Sequence, residues 1–95
     1  MYHSLGANAA RHTLEILDNV RHVLAIELLT AAQAIDLRPD GPARPGQGTA
    51  RADAEIRRHA STLVHDRPAA PDIETLARLI RSGALLAIAD ATVPA

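Results

Sequence analysis

A chain of 95 residues with a net charge of −1 suits one small domain, burying only about 60–65% of its unfolded surface, so stability is marginal without help. It has no Phe, no Trp and one Tyr, so its core must be aliphatic; its ten basic residues are all arginine and scattered, which excludes the clustered basic face that nucleic acid needs. Cysteine is absent, which excludes disulfides, thiolate nucleophiles and thiolate metal sites and fits a reducing cytoplasm.

The first element is one long helix, expected over about residues 5–37. Leu14 to Arg38, LEILDNVRHVLAIELLTAAQAIDLR, contains no Gly or Pro. Arg11, Glu15, Asp18 and His22 form a polar stripe at helical spacing. From Val23 to Ile35 only Glu27, Thr30 and Gln33 interrupt the apolar residues, so this half should be buried on nearly all sides. Ser4 is the candidate N-cap, and Pro39 should stop the helix near Leu37. Such a helix is about 50 Å long, whereas a compact 95-residue globule is roughly 32 Å across. The overshoot would expose Leu and Ile, so self-association through this helix is expected. The apolar run is too short for a membrane span, which needs about 20 residues. The opening MYHSLGANAARH lacks the basic-then-apolar pattern of a secretory signal.

Arg38–Thr49, with three prolines and three glycines, reads as a surface loop. Residues 50–95 then read as short helices. The first is expected from Ala50 to Val64, capped by Thr49, with Ile56, Ala60, Leu63 and Val64 inward and Asp53–Arg57 and Glu55–His59 paired. His65 to Pro71 forms a turn. The next helix begins at Pro71 or Asp72, with Ile73, Leu76, Ala77, Leu79 and Ile80 inward and Glu74 paired with Arg78. Ser82 and Gly83 break it, and Ser82 caps a last helix over Ala84 to Asp90. The expected class is all-α, a single helical unit with bundle-type packing over residues 1–95.

Chemistry is hard to find. His12 and His22 lie about 15 Å apart along the helix and about 80° around it, too far to share an ion. His59 and His65 have no third ligand at regular spacing, so the histidines read as surface or supporting groups. Ser61 and His65 are four apart on an expected helix, which alone is no triad. Arg57, Arg58 and His59 make a basic spot beside Asp53 and Glu55. No HExxH, GxSxG, P-loop or dinucleotide fingerprint occurs. Glu27 stands out: a carboxylate in the most apolar stretch is costly to bury unless paired. It reads either as an active-site acid or, preferably, as half of a buried structural pair. Gln33 should likewise bond a neighbouring helix.

Ser4-Leu5-Gly6, then Ala9-Ala10-Arg11, then LAIELLTAAQAIDLR from Leu24 to Arg38, resemble the C-terminal part of the aromatic amino acid ammonia-lyases, with histidine ammonia-lyase most similar. HDRPAAPDIETLARLIRSGAL, His65 to Leu85, resembles the D-R…P-D-I…RSG pattern that closes that family's chains. The resemblance covers nearly all of the chain except the Pro/Gly loop. It implies the last fifth of an enzyme of roughly 500 residues that eliminates ammonia from an aromatic amino acid, for example histidine to urocanate in histidine catabolism. The family's methylidene-imidazolone electrophile forms from an internal Ala-Ser-Gly, which does not occur here. The family's catalytic tyrosine loop is missing too, and its last active-site carboxamide or carboxylate position falls ahead of Met1. No catalytic, cofactor-binding or metal-binding residue is therefore assigned. The resemblance also implies a tetramer core in which long helices of four subunits pack together. On this reading the chain alone is inactive, cytoplasmic, and an oligomerisation segment whose partners are copies of itself or the rest of a lyase chain. The alternatives are a fragment of a related aminomutase and a free-standing helical oligomerisation module.

Overall fold

A computed structural model describes residues 2–38 and 46–92, with side chains from Leu5 onward. Among these described residues four helices form: α1 Tyr2–Asp36, α2 Gln47–His59, α3 Ala70–Ser82 and α4 Ala84–Thr92. The all-α class expected from the periodicity is what the chain adopts.

α1 starts before Ser4, so Ser4 lies inside the helix and is not its cap. At the other end the turn tightens: Leu37 N–H reaches Gln33 O at 3.1 Å, and Arg38 N–H reaches Ile35 O at 3.4 Å. Pro39 disfavours helical geometry at the residue before it, which accounts for the stop. The 35 residues of α1 give a rod that outruns the rest of the fold. The radius of gyration is 16.8 Å and the longest extent 61 Å, against a radius of about 12 Å for a compact chain of this length. The excess comes from an arm: every residue from Leu5 to Val20 is exposed.

Of the expected loop at Arg38–Thr49, residues 39–45 lie outside the described residues. The remainder corrects the sequence reading, because α2 begins at Gln47 and Thr49 sits within it. Gly46 takes the cap position, and its carbonyl accepts the Ala50 N–H at 2.9 Å. Gly48 lies close to α4. A Cβ there would stand 3.1 Å from Thr92 Oγ1 of α4.

α2 also ends earlier than expected, at His59 instead of Val64. Ala60 turns extended (φ −138°, ψ 110°), and the Leu63 backbone bonds to Gln33 instead of continuing the helix. Ile56 and Ala60 are buried as expected, but Leu63 and Val64 are exposed. In α3, Pro71 occupies the first turn, where its missing N–H leaves no intrahelical bond unmade. Gly83 closes α3 at φ +83°, a left-handed cap that side chains other than glycine's resist. Ser82 Oγ accepts the Ala84 N–H at 3.3 Å and donates to Leu79 O at 2.6 Å, so it starts α4 while finishing α3.

The core is thin. Ala25 and Ala32, two turns apart on α1, meet Ile56 of α2 and Leu76, Ala77 and Leu79 of α3. Leu28, Leu29, Ile73, Ile80, Ala84 and Leu85 pack around them. Leu76 is the only large side chain that is fully enclosed among the described residues. The expected burial of Val23–Ile35 on nearly all sides does not occur within this chain: Val23, Leu24 and Ile26 remain 56%, 41% and 48% exposed. One chain covers only the stripe through Ala25, Leu29 and Ala32.

Candidate functional site

Two features stand out once the helices are assembled: a polar clasp at the C-terminal end of α1, and an apolar surface along the rest of it.

The clasp fixes the connector Ser61–Ala69 between α2 and α3. Gln33 reads the Leu63 backbone in both directions. Its Nε2 donates to Leu63 O at 2.9 Å, and its Oε1 accepts the Leu63 N–H at 3.1 Å. Gln33 thus bonds connector backbone, where a neighbouring helix was expected. Asp36 Oδ2 accepts from Arg57 Nη2 at 2.6 Å and from Thr62 Oγ1 at 2.8 Å, joining α1, α2 and the connector at one oxygen. Arg57 Nη1 also donates to Ala60 O at 3.1 Å. Further on, Arg67 Nη2 donates to Ser61 O at 2.6 Å and to Asp72 Oδ2 at 2.9 Å, tying the connector to the first turn of α3.

These cross-element bonds displace two expected local pairs. Arg57 turns to Asp36, so the Asp53–Arg57 pair does not form, and Asp53 Oδ1 and Arg57 Nε are buried without a protein partner. Glu74 meets His22 of α1 at 3.0 Å, while Arg78 reaches Thr75 at 3.4 Å. The expected Glu55–His59 pair does form, at 3.2 Å, and Arg58 joins it at 3.0 Å. The His59 hydrogen bond, and then the Arg58 charge, hold the Glu55 carboxyl below its ordinary value. The basic spot of the sequence is therefore divided, with Arg58 and His59 on Glu55 and Arg57 on Asp36.

A cavity of about 180 Å³ opens beside the clasp, lined by Thr30, Gln33, Arg57, Ser61, Arg67 and Asp72 among others. Each of its two arginines is already matched by a carboxylate, Asp36 or Asp72. Ser61 and His65 both lie outside helices, so their expected spacing on one helix face is lost. Among the described residues, no three His, Asp or Glu side chains gather closely enough to hold a metal ion. What this arrangement can do is hold backbone in place. Gln33→Ala is expected to cost about 1 kcal/mol in urea denaturation and to speed hydrogen exchange at the Leu63 amide.

The apolar surface is larger. Leu5, Leu14, Ile16, Leu17 and Val20 along the arm are all exposed, and Val23, Leu24 and Ile26 continue them. Beside the last of these, Leu24, Leu28, Ala31, Ile80, Leu85 and Leu86 line a groove of about 420 Å³ together with Glu27. Glu27 is exposed, so within this chain it is not half of a buried pair, and its sequence-predicted partner would have to come from another chain. No helix among the described residues is long and apolar enough to cross a membrane.

A helical unit with a bonded clasp at one end and an uncovered apolar rod at the other is the class of structure to be placed. Residues 2–58 match the sequence model of the aromatic amino acid lyases, and the chain belongs to that family. It is 48% identical over 90 residues to a histidine ammonia-lyase of Sorangium cellulosum, covering 95% of this chain and 17% of that protein. It is 48% identical over 88 residues to one from Symbiobacterium thermophilum, covering 93% and 17%. A Treponema denticola histidine ammonia-lyase is 55% identical over 64 residues, covering 67% and 12%. The chain thus spans about a sixth of the length of the first two relatives and about an eighth of the third. No solved structure matches it.

Proposed function

We propose that this chain is the C-terminal assembly segment of a histidine ammonia-lyase, packing its long helix against copies of itself while the elimination of ammonia is carried by residues elsewhere. The observation that carries this reading is the apolar rod: eight large aliphatic side chains from Leu5 to Ile26 are each at least 41% exposed, more than a chain with so small a core leaves uncovered without a partner. The relatives' shared name, histidine ammonia-lyase, supports loss of ammonia from histidine as the parent reaction; in this proposal the product is urocanate, and the reaction belongs to histidine catabolism in the cytoplasm. The sequence holds no Ala-Ser-Gly, so the residues present do not fit the family's electrophile, and no step of the reaction is assigned to them.

In this reading the clasp has a positioning role. Gln33, Asp36, Arg57 and Arg67 hold α2 and α3 on one end of α1 and leave its other face free for neighbouring subunits. Two measurements test the proposal together. Histidine mixed with the isolated chain is expected to give no urocanate absorbance, and sedimentation is expected to show association at micromolar concentration. Turnover by the chain itself would overturn the first half, and a stable monomer the second.

A further inference from the structure

His22 marks the point where the arm leaves the fold. Arg21 and His22 are the first half-buried side chains after the exposed run from Leu5 to Val20. His22 Nδ1 lies 2.7 Å from the backbone oxygen of Asp18, and Nε2 lies 3.0 Å from Glu74 Oε1 of α3. A carbonyl oxygen can only accept, and a carboxylate accepts, so both ring nitrogens must donate. That bonding pattern belongs to the imidazolium cation. The surrounding charges agree with it. The Asp18 carboxylate stands 3.8 Å from Nδ1, and Glu74 caps Nε2. The arginines of the two facing helices are Arg11 and Arg21 on α1, Arg21 being next to His22 in sequence, and Arg78 and Arg81 on α3, Arg78 lying one turn beyond Glu74 and directed to Thr75.

We propose that His22 is a pH-sensitive latch between the base of the α1 arm and α3, closed while the ring carries both protons and released when it loses one. The Nδ1 contact to the Asp18 carbonyl is the shorter of the two, 2.7 Å against 3.0 Å, and lies within one helix, so in this proposal the proton lost is the one on Nε2, whose bare lone pair then faces the Glu74 carboxylate. The bond that breaks is therefore the one between helices. The Asp18 carbonyl first, and Glu74 second, raise the His22 pKa above its ordinary 6.5. A raised value means that the latch is fully made below 6.5 and is lost as pH climbs through the higher folded value.

The test is an NMR titration of the His22 ring in the full chain, alongside Glu74→Gln and His22→Asn. In the unaltered chain the midpoint should lie above 6.5, and Glu74→Gln should lower it. Amides in the first turns of α3, corrected for intrinsic exchange, should exchange faster above that midpoint. In Glu74→Gln, whose carboxamide can accept from the charged ring and donate to the neutral one, the step should be much reduced, and in His22→Asn, which has no such proton to lose, they should show no step. A midpoint that Glu74→Gln leaves unchanged, a midpoint at or below 6.5, or a step that survives in His22→Asn would each overturn the latch.

Discussion

A chain carrying Val20→Glu is expected to sediment as a monomer at concentrations where the unaltered chain is expected to associate, with its helical content intact. Val20 is 47% exposed and lies among the aliphatic residues of the arm. Burying a valine side chain contributes about 1.5–3 kcal/mol, and an interface between two copies can use the position twice. Losing about 3 kcal/mol weakens association by roughly 100-fold, before the further cost of burying a carboxylate is added. The fold of the single chain should be untouched, because the site is uncovered there and glutamate favours helix more than valine does. Association that persists undiminished in Val20→Glu would mean that the arm is not the interface.

The second large effect concerns the core. Leu76→Ala is expected to lower stability by about 2–5 kcal/mol, read as a fall in the urea midpoint followed by circular dichroism. Leu76 is 0% exposed, and its core neighbours include the alanines Ala25, Ala32 and Ala77, which cannot expand into the space left behind. Whole domains are stable by only about 5–15 kcal/mol, so for a chain at the low end this loss approaches the whole of its stability. Val64→Ala makes the contrast: at 79% exposure it should change stability by less than about 0.5 kcal/mol.

The class of fold was legible in the sequence because helical periodicity, Pro71 and the Ser82–Gly83 break are local signals that tertiary packing did not override. The side-chain partners were not legible. The rule that residues four apart pair on a helix foretold Glu55–His59 correctly, and it failed for Asp53–Arg57 and Glu74–Arg78. In both failures a group on another helix, Asp36 or His22, offered a better partner across a gap that no spacing rule spans. Leu63 and Val64 were misread for a related reason. Their helix was ended by Gln33, thirty residues away in sequence.

The polar clasp could have been found by a different signal. Gln33 and Asp36 belong to the AAQAIDLR stretch that carries the family resemblance, and Arg67 and Asp72 to its D-R…P-D-I pattern. In the structure these residues join connector to helix and helix to helix. What made the chain recognisable is therefore mostly how it is held together, and it points to no reacting group.

The exposed arm also has a mechanical consequence. From Leu5 to Val20 it runs about 24 Å beyond its last support, so a tilt of about 10° at its root carries the tip about 4 Å. Neighbouring helices pack about 8–10 Å apart, so a swing of that size is nearly half of one spacing. The fulcrum is Ala25 and Ala32, whose small side chains set how closely α1 lies against the core. The flattest and least conspicuous contact in the molecule thus acts as the pivot of a lever, deciding where a helix tip far from it can meet anything else.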